Sequence, residues 1–304
     1  MAKKYENLNP IPLFGSYSDP FGDRRGTGPV RPDEPLDSDE PDFLRKFDSS
    51  GLYFAWLGHS SVFINMHGKS ILIDPVFSRH ASPVPFAGMT RFPGKAISCA
   101  ELPAIDLVLI THNHYDHLDK ATIRALDAQV GRYIVPSDMG KNLRSFGISP
   151  SKITELGWYE EYSQDGLRIV STPSQHDSSR SLFDMNRTLW CSYVLTDGNH
   201  TVFDSGDGGF GEHFAELHER FGDIDLAIME CGQYNEKWHT IHMFPEESVQ
   251  AAAILNARLS VPVHWGAYTL SDHPWDDPPR RFAIRATELG VNFRIPKLNE
   301  IIKL

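Results

Sequence analysis

Residues 111–119 read Thr-His-Asn-His-Tyr-Asp-His-Leu-Asp, and they follow directly on the apolar run Ile105-Asp106-Leu107-Val108-Leu109-Ile110. A chain that places such a run at the mouth of a buried strand has few folds open to it. His112, His114, Asp116 and His117 put four metal-ligand side chains into six consecutive positions. In an extended or tightly turning segment His112 and His114 point the same way, because side chains alternate along a strand. Asp116 and His117 then turn toward a second point a few ångströms off. Imidazole with carboxylate suits Zn²⁺, and less selectively Mn²⁺ or Fe²⁺. A solvated histidine loop is the bland reading. It does not account for the strand before the cluster, and ligands gather at the carboxyl ends of such strands.

The 304 residues are 40% hydrophobic, enough to bury one large core or two smaller ones. A formal charge of −11 argues against a nucleic-acid surface, which is normally basic, and weakens electrostatic attraction to an anionic membrane. At most peripheral membrane contact is expected. Three scattered cysteines, Cys99, Cys191 and Cys231, imply no disulfide framework and fit a reducing cytoplasm. Met1-Ala2-Lys3-Lys4 runs into Tyr5, Glu6 and Asn7 rather than an apolar segment, so no secretory signal is expected there. No stretch approaches the roughly 20 apolar residues of a membrane span.

Residues 1–50 differ from the rest. Pro10, Pro12, Pro20, Pro29, Pro32, Pro35 and Pro41 alternate with glycines and acidic residues, while Ile11, Leu13, Phe14, Tyr17 and Phe21 are too many apolar groups for a solvated tail. The expectation is an arm laid on a domain formed by 51–304, reaching the rim of its pocket. From residue 52 the pattern predicts strands over Leu52–Leu57, Ser61–Met66, Ser70–Ile73, Leu107–Ile110, Tyr133–Val135, Leu167–Ser171, Trp190–Leu195, Thr201–Phe203, Leu226–Met229 and Ser260–Val263. Helices are expected over Lys120–Leu126, Met139–Phe146, Glu212–Arg220, Pro245–Asn256 and Pro279–Leu289. That order suggests an α/β (α+β) fold of two packed sheets with helices outside.

One cluster cannot fill two metal shells, and three further candidates follow predicted strands. They are His176 in Ser171-Thr-Pro-Ser-Gln-His, Asp207 in Phe203-Asp-Ser-Gly-Asp-Gly-Gly, and His264 in Val261-Pro-Val-His-Trp-Gly. Each alone reads as a loop residue, a turn former or a core histidine. All three share the topological position of the first cluster, which makes a common site the better reading.

Together these residues resemble the metallo-β-lactamase superfamily. Trp56-Leu-Gly-His-Ser-Ser-Val, Leu72-Ile-Asp-Pro-Val-Phe-Ser, Asn186-Arg-Thr-Leu-Trp, His242-Met-Phe-Pro-Glu-Glu and His264-Trp-Gly-Ala-Tyr are similar to its branch containing N-acylphosphatidylethanolamine-hydrolysing phospholipase D. The resemblance implies an αββα sandwich with two divalent metals, zinc first, at the sheet edge. One ion would be held by His112, His114 and His176, the other by Asp116, His117 and His264, with Asp207 bridging. It implies that Asp74 holds a ligand imidazole in its tautomer from behind, and that His242 lies in the pocket, on a phosphoryl oxygen or the leaving group; Asp116 could also orient the nucleophile. The implied reaction is phosphodiester hydrolysis of a phospholipid by a two-metal-bound hydroxide. A lactonase acting on a sugar phosphate and a non-hydrolytic metal-binding protein are the alternatives. The substrate is thus a small molecule or lipid rather than nucleic acid, and the oligomeric state is left open.

The chain departs from the branch at Glu230–Trp238, where small apolar residues are usual. The loop Phe77–Phe92, with Pro83, Pro85, Phe86, Met89 and Phe92, is expected to line an acyl groove or to lid a small polar pocket. His59, His80, His239 and His273 carry no assigned role and are expected at the surface or behind the ligands.

Overall fold

The computed structural model describes residues 4–9, 28–84, 86–181 and 183–304. Residues 1–3 and 10–27 of the Pro-rich arm, with Ile11, Leu13, Phe14, Tyr17 and Phe21, and likewise Pro85, lie outside the described residues. Seven strands build the first sheet: β1 (Leu52–Trp56), β2 (Val62–Met66), β3 (Lys69–Ile73), β6 (Ile105–Leu109), β7 (Val130–Pro136), β8 (Ile153–Leu156) and β15 (Ile302–Lys303), in the order β15-β1-β2-β3-β6-β7-β8. Six build the second: β9 (Glu161–Gln164), β10 (Leu167–Thr172), β11 (Ser192–Thr196), β12 (Thr201–Asp204), β13 (Leu226–Glu230) and β14 (Leu259–Val263), in the order β14-β13-β12-β11-β10-β9. A two-stranded hairpin, β4 (His80–Ala81) with β5 (Met89–Thr90), stands apart.

The period-2 alternation of side chains sorts the first sheet into two cores. Phe54, Trp56, Val62, Ile64, Ile71, Ile73, Leu107, Leu109 and Ile134 face the second sheet, meeting Tyr193, Leu195, Val202 and Ile228. Their neighbours Ala55, Leu57, Phe63, Leu72, Val108, Ile110, Tyr133 and Val135 point the other way, onto α1 (Lys120–Leu126) and α2 (Gly140–Phe146) through Ile123, Leu126, Leu143 and Phe146. Burial on both faces explains why these strands read as continuous apolar runs. Helices α3 (His213–Phe221), α4 (Pro245–Ile254) and α5 (Asp277–Leu289) cover the outer face of the second sheet through Phe214, Leu217, Val249, Phe282 and Ala286. The layers are helix, sheet, sheet, helix, as expected.

Local chemistry sets the helix ends. Asp119 accepts the Ala121 amide and caps α1, which fixes the exit of the histidine cluster. Pro245 opens α4 with Glu246 and Glu247 in its first turn, and the Glu247 carboxylate accepts the Phe244 amide. Helix α5 starts two residues before the expected Pro279, because Pro278 and Pro279 both fit a first turn that needs no amide donor. β8, β9 and β15 were not expected. β9 is a polar edge strand, Glu-Tyr-Ser-Gln, held by its backbone ladder to β10. β15 is a two-residue pairing with β1.

Residues 28–50 lie against the domain. Phe43 is fully buried with its ring 5.1 Å from Phe63, and Asp37 and Asp39 exchange backbone hydrogen bonds with Leu298. The Phe77–Phe92 loop divides its apolar residues. Phe92 turns inward under the Arg31 guanidinium, whereas Phe86 is 80% and Met89 49% exposed. Phe92 lines a cleft with Arg31, Phe77 and Arg79 that includes neither Phe86 nor Met89 and none of the candidate ligands, apart from the groove expected for the three together. Its amide donates to Ala267 and pulls it under the chain.

Candidate metal centre

Every candidate metal ligand, and Asp74, sits past the end of a strand, and the two sheets bring those ends together at one edge; His242 instead lies in the turn before α4. His112, His114, Asp116 and His117 follow β6, Asp74 follows β3 and His176 follows β10. Asp207 follows β12, and His264 follows β14. Two groups form.

In the first, His112 Nε2 and His176 Nε2 lie 3.0 and 3.3 Å from His114 Nδ1. Donors about 2.0–2.1 Å from a tetrahedral ion lie about 3.3–3.4 Å from one another, so this spacing fits a shared ion. In the second, Asp116, His117 and His264 converge, joined by His59. Asp207 faces both: Oδ2 is 3.0 Å from His117 Nε2, 3.8 Å from His112 Nε2 and 3.9 Å from His176 Nε2, and Oδ1 is 3.1 Å from His264 Nδ1.

Buried polar atoms normally find a hydrogen-bond partner. Here His117 Nε2, His264 Nε2 and Asp207 Oδ1 are buried and have none in the described structure, although other donors and acceptors crowd them. Polar atoms that converge without pairing are what the ligands of an ion look like once the ion is left out, and the donor set fits divalent metals.

The electrostatics agree. Burial, then the charge of His117, holds His112 well below the usual histidine range; burial also lowers His264 strongly and takes His176 to about 3. These three imidazoles are neutral, the form that ligates. Burial opposes charge on His117 as well, but Asp207, Asp116 and Asp74 outweigh it and raise this group. In return, His117 leads the neighbours that overcome burial and keep Asp207 and Asp116 ionised.

Outer partners orient the candidate ligands. Asp74 takes the Thr111 amide at 2.8 Å and hydroxyl at 2.5 Å, and its Oδ2 lies 2.6 Å from His117 Nδ1, so His117 Nε2 turns to the cluster. Asp177 Oδ1 lies 3.2 Å from His114 Nε2, leaving Nδ1 for the first group. A carboxylate behind a ligand imidazole fixes its tautomer and orientation, and losing such a partner costs about 10- to 100-fold in metal affinity or activity. Asp74→Asn is therefore expected to weaken retention of one ion by about 10- to 100-fold. Chelator competition on the purified variant measures it; retention equal to wild type would remove Asp74 from this role.

Three residues join the neighbourhood without a role assigned from the sequence: Glu230 and Asp177, not singled out there, and His59, expected at the surface or behind the ligands. His59 is fully buried, with Nε2 2.8 Å from Asp116 Oδ2 and its ring 4.3 Å from that of His264. It stands behind Asp116, one of the two places expected for it. Glu230, the last residue of β13, is buried beside Asp207 and His264, with Oε2 3.3 Å from His242 Nδ1. Asp177 is the third. His59 and Glu230 also sit at strand ends, so the rule that found His176 and His264 would have found both. His239 pairs with Glu247, and buried His273 accepts the Gln233 amide. His242 stacks on His264 at 5.3 Å and lies 5.1 Å from His176, centroid to centroid.

The family described as beta-lactamase superfamily domain matches residues 69–265, which carry all of these candidate residues except His59. The chain belongs to the metallo-β-lactamase superfamily. Within that superfamily it is a metal-dependent hydrolase, and its relatives include the branch suggested by the motifs. It is 32% identical over 244 residues to an N-acyl-phosphatidylethanolamine-hydrolyzing phospholipase D of Caenorhabditis elegans, covering 76% of this chain and 68% of that protein. It is 35% identical over 251 residues to the mitochondrial enzyme of the same name in Saccharomyces cerevisiae, covering 77% of this chain and 52% of that one. Among solved structures, an isothiocyanate hydrolase from Delia radicum gut bacteria shares the fold, with a TM-score of 0.66, 24% identity, and coverage of 82% of this chain and 98% of that one.

Proposed function

We propose that this metallo-β-lactamase-superfamily hydrolase cleaves phosphodiesters, with an N-acylphosphatidylethanolamine-like phospholipid as the substrate class. The observation that carries the reading is Asp207, one buried carboxylate within 4 Å of imidazoles from both ligand groups. That arrangement belongs to a pair of ions rather than to one. The similarity to two phospholipases D that act on N-acylphosphatidylethanolamine supports the substrate class.

His112, His114 and His176 would hold one ion, Asp116, His117 and His264 the other, and Asp207 both. Two divalent ions, zinc first and manganese or iron as alternatives, would supply Lewis acidity toward a phosphoryl oxygen and would lower the pKa of water toward neutrality. The chain's own groups do the rest. Asp116, held from behind by His59, is placed to orient the attacking water. His242 has Nδ1 engaged by the Glu230 carboxylate, which outweighs burial and keeps the ring charged. Its Nε2 is then the nitrogen that can donate to a phosphoryl or leaving oxygen.

Purified protein is expected to carry about two transition-metal ions and to hydrolyse phosphodiesters in a panel run beside lactones. His114→Ala is expected to lose the metal of the first group and the activity with it. Full activity in that variant with unaltered metal content sinks the mechanism, and turnover of lactones alone replaces the substrate class.

A further inference from the structure

His176 comes from a stretch with no regular secondary structure, Pro173–His176, yet a ligand has to be held to a fraction of an ångström. Most of that stretch is fastened by the domain itself. The Ser174 hydroxyl donates to the Asp207 carbonyl, the Gly209 amide to the Gln175 carbonyl, and the Trp190 indole to the Ser174 carbonyl. His176 Nδ1 lies 3.0 Å from the Ile241 carbonyl.

The peptide groups of His176 itself are different, because a residue 169 positions away satisfies them. The His176 amide donates to Asn7 Oδ1 at 3.0 Å, and Asn7 Nδ2 donates to the His176 carbonyl at 2.8 Å. The Trp190 indole adds a third bond to Asn7 Oδ1 at 3.0 Å. A buried backbone donor and acceptor must be paired, and one carboxamide pairs both. The flanking residues pin the segment. The Tyr5 amide donates to the Asn186 carbonyl, the Tyr5 hydroxyl to Asp138, and the Gln175 side chain to the Asn9 carbonyl.

The geometry points to Asn7 as a positioning residue for the first metal site, with residues 4–9 serving as part of the frame that holds His176. This rests on the reading that His112, His114 and His176 share an ion. No other side chain does the same work: Asp accepts but cannot donate to the His176 carbonyl, and Ala does neither. Asn9 touches the loop only through its backbone carbonyl, so Asn9→Ala is the matched control.

The test uses full-length protein carrying Asn7→Ala, Asn7→Asp or Asn9→Ala. Amide exchange of a peptide spanning 173–180 is read on metal-stripped protein, and the absorption spectrum and chelator release rate on protein loaded with Co²⁺. Asn7→Ala is expected to speed exchange in that peptide and to lose one of two cobalt ions about 10- to 100-fold faster, the range for an outer partner of a ligand. Asn7→Asp is expected to fall between, and Asn9→Ala to match wild type. Two cobalt ions retained at the wild-type rate by Asn7→Ala, with His176 equally protected, overturn the inference alone. Wild-type protein that binds fewer than two ions overturns the two-metal reading and this inference together.

Discussion

Asp207→Ala is expected to leave the folded protein with at most one bound ion and to lower hydrolysis by more than 100-fold. Partners behind a ligand already cost about 10- to 100-fold, and Asp207 faces both ligand groups directly. Its carboxylate is within 3.1 Å of His117 and His264 and within 3.9 Å of His112 and His176, so one truncation opens both groups. Metal analysis beside circular dichroism makes the measurement decisive. A folded Asp207→Ala that keeps two ions would show that the carboxylate bridges nothing.

Gly232→Ala should have the largest effect on stability. An added Cβ would lie 1.9 Å from the His264 carbonyl oxygen, a distance no real contact tolerates. The obstacle is backbone, so relief requires β13 and the His264 turn to separate. Overpacking of this kind costs about 1–3 kcal/mol, and a fixed backbone neighbour places Gly232 at the upper end. For a chain of 304 residues about 3 kcal/mol lowers Tm by roughly 5 °C. Because the displaced residue is His264, metal retention should fall along with Tm, measurable by calorimetry with and without chelator. Gly222, with open space where its Cβ would go but a left-handed φ of 71°, should lose stability without losing metal when changed to Ala.

The fold was legible because its signals are local. Strands buried on both faces announce themselves as apolar runs, and His112–His117 fall within one turn of chain. His176, Asp207 and His264 were reachable by one topological rule. The same rule, carried through, reaches His59 after β1 and Glu230 at the end of β13; each was passed over because it stood alone in its segment. Other features have no local signal. β9 is polar and exposed, and only its pairing with β10 makes it a strand. The inward turn of Phe92 depends on Ala267 and Arg31, and the Asn7 contact on a residue 169 positions off.

His59, Asp74 and His264 share a further property: their backbones are left-handed, at φ 55°, 44° and 66°. Among residues with a Cβ, only Asn, Asp and His visit that region with any frequency, and others pay about 1–2 kcal/mol. At each of these positions the turn that aims the side chain and the chemistry the side chain performs draw on the same short alphabet. An alanine scan across them would mix two losses into one number. Exchange within the permitted letters, His264→Asn or Asp74→Asn, keeps the turn and varies only the chemistry. For anyone rebuilding this centre to take another ion, the usable library at these three positions is a handful of residues.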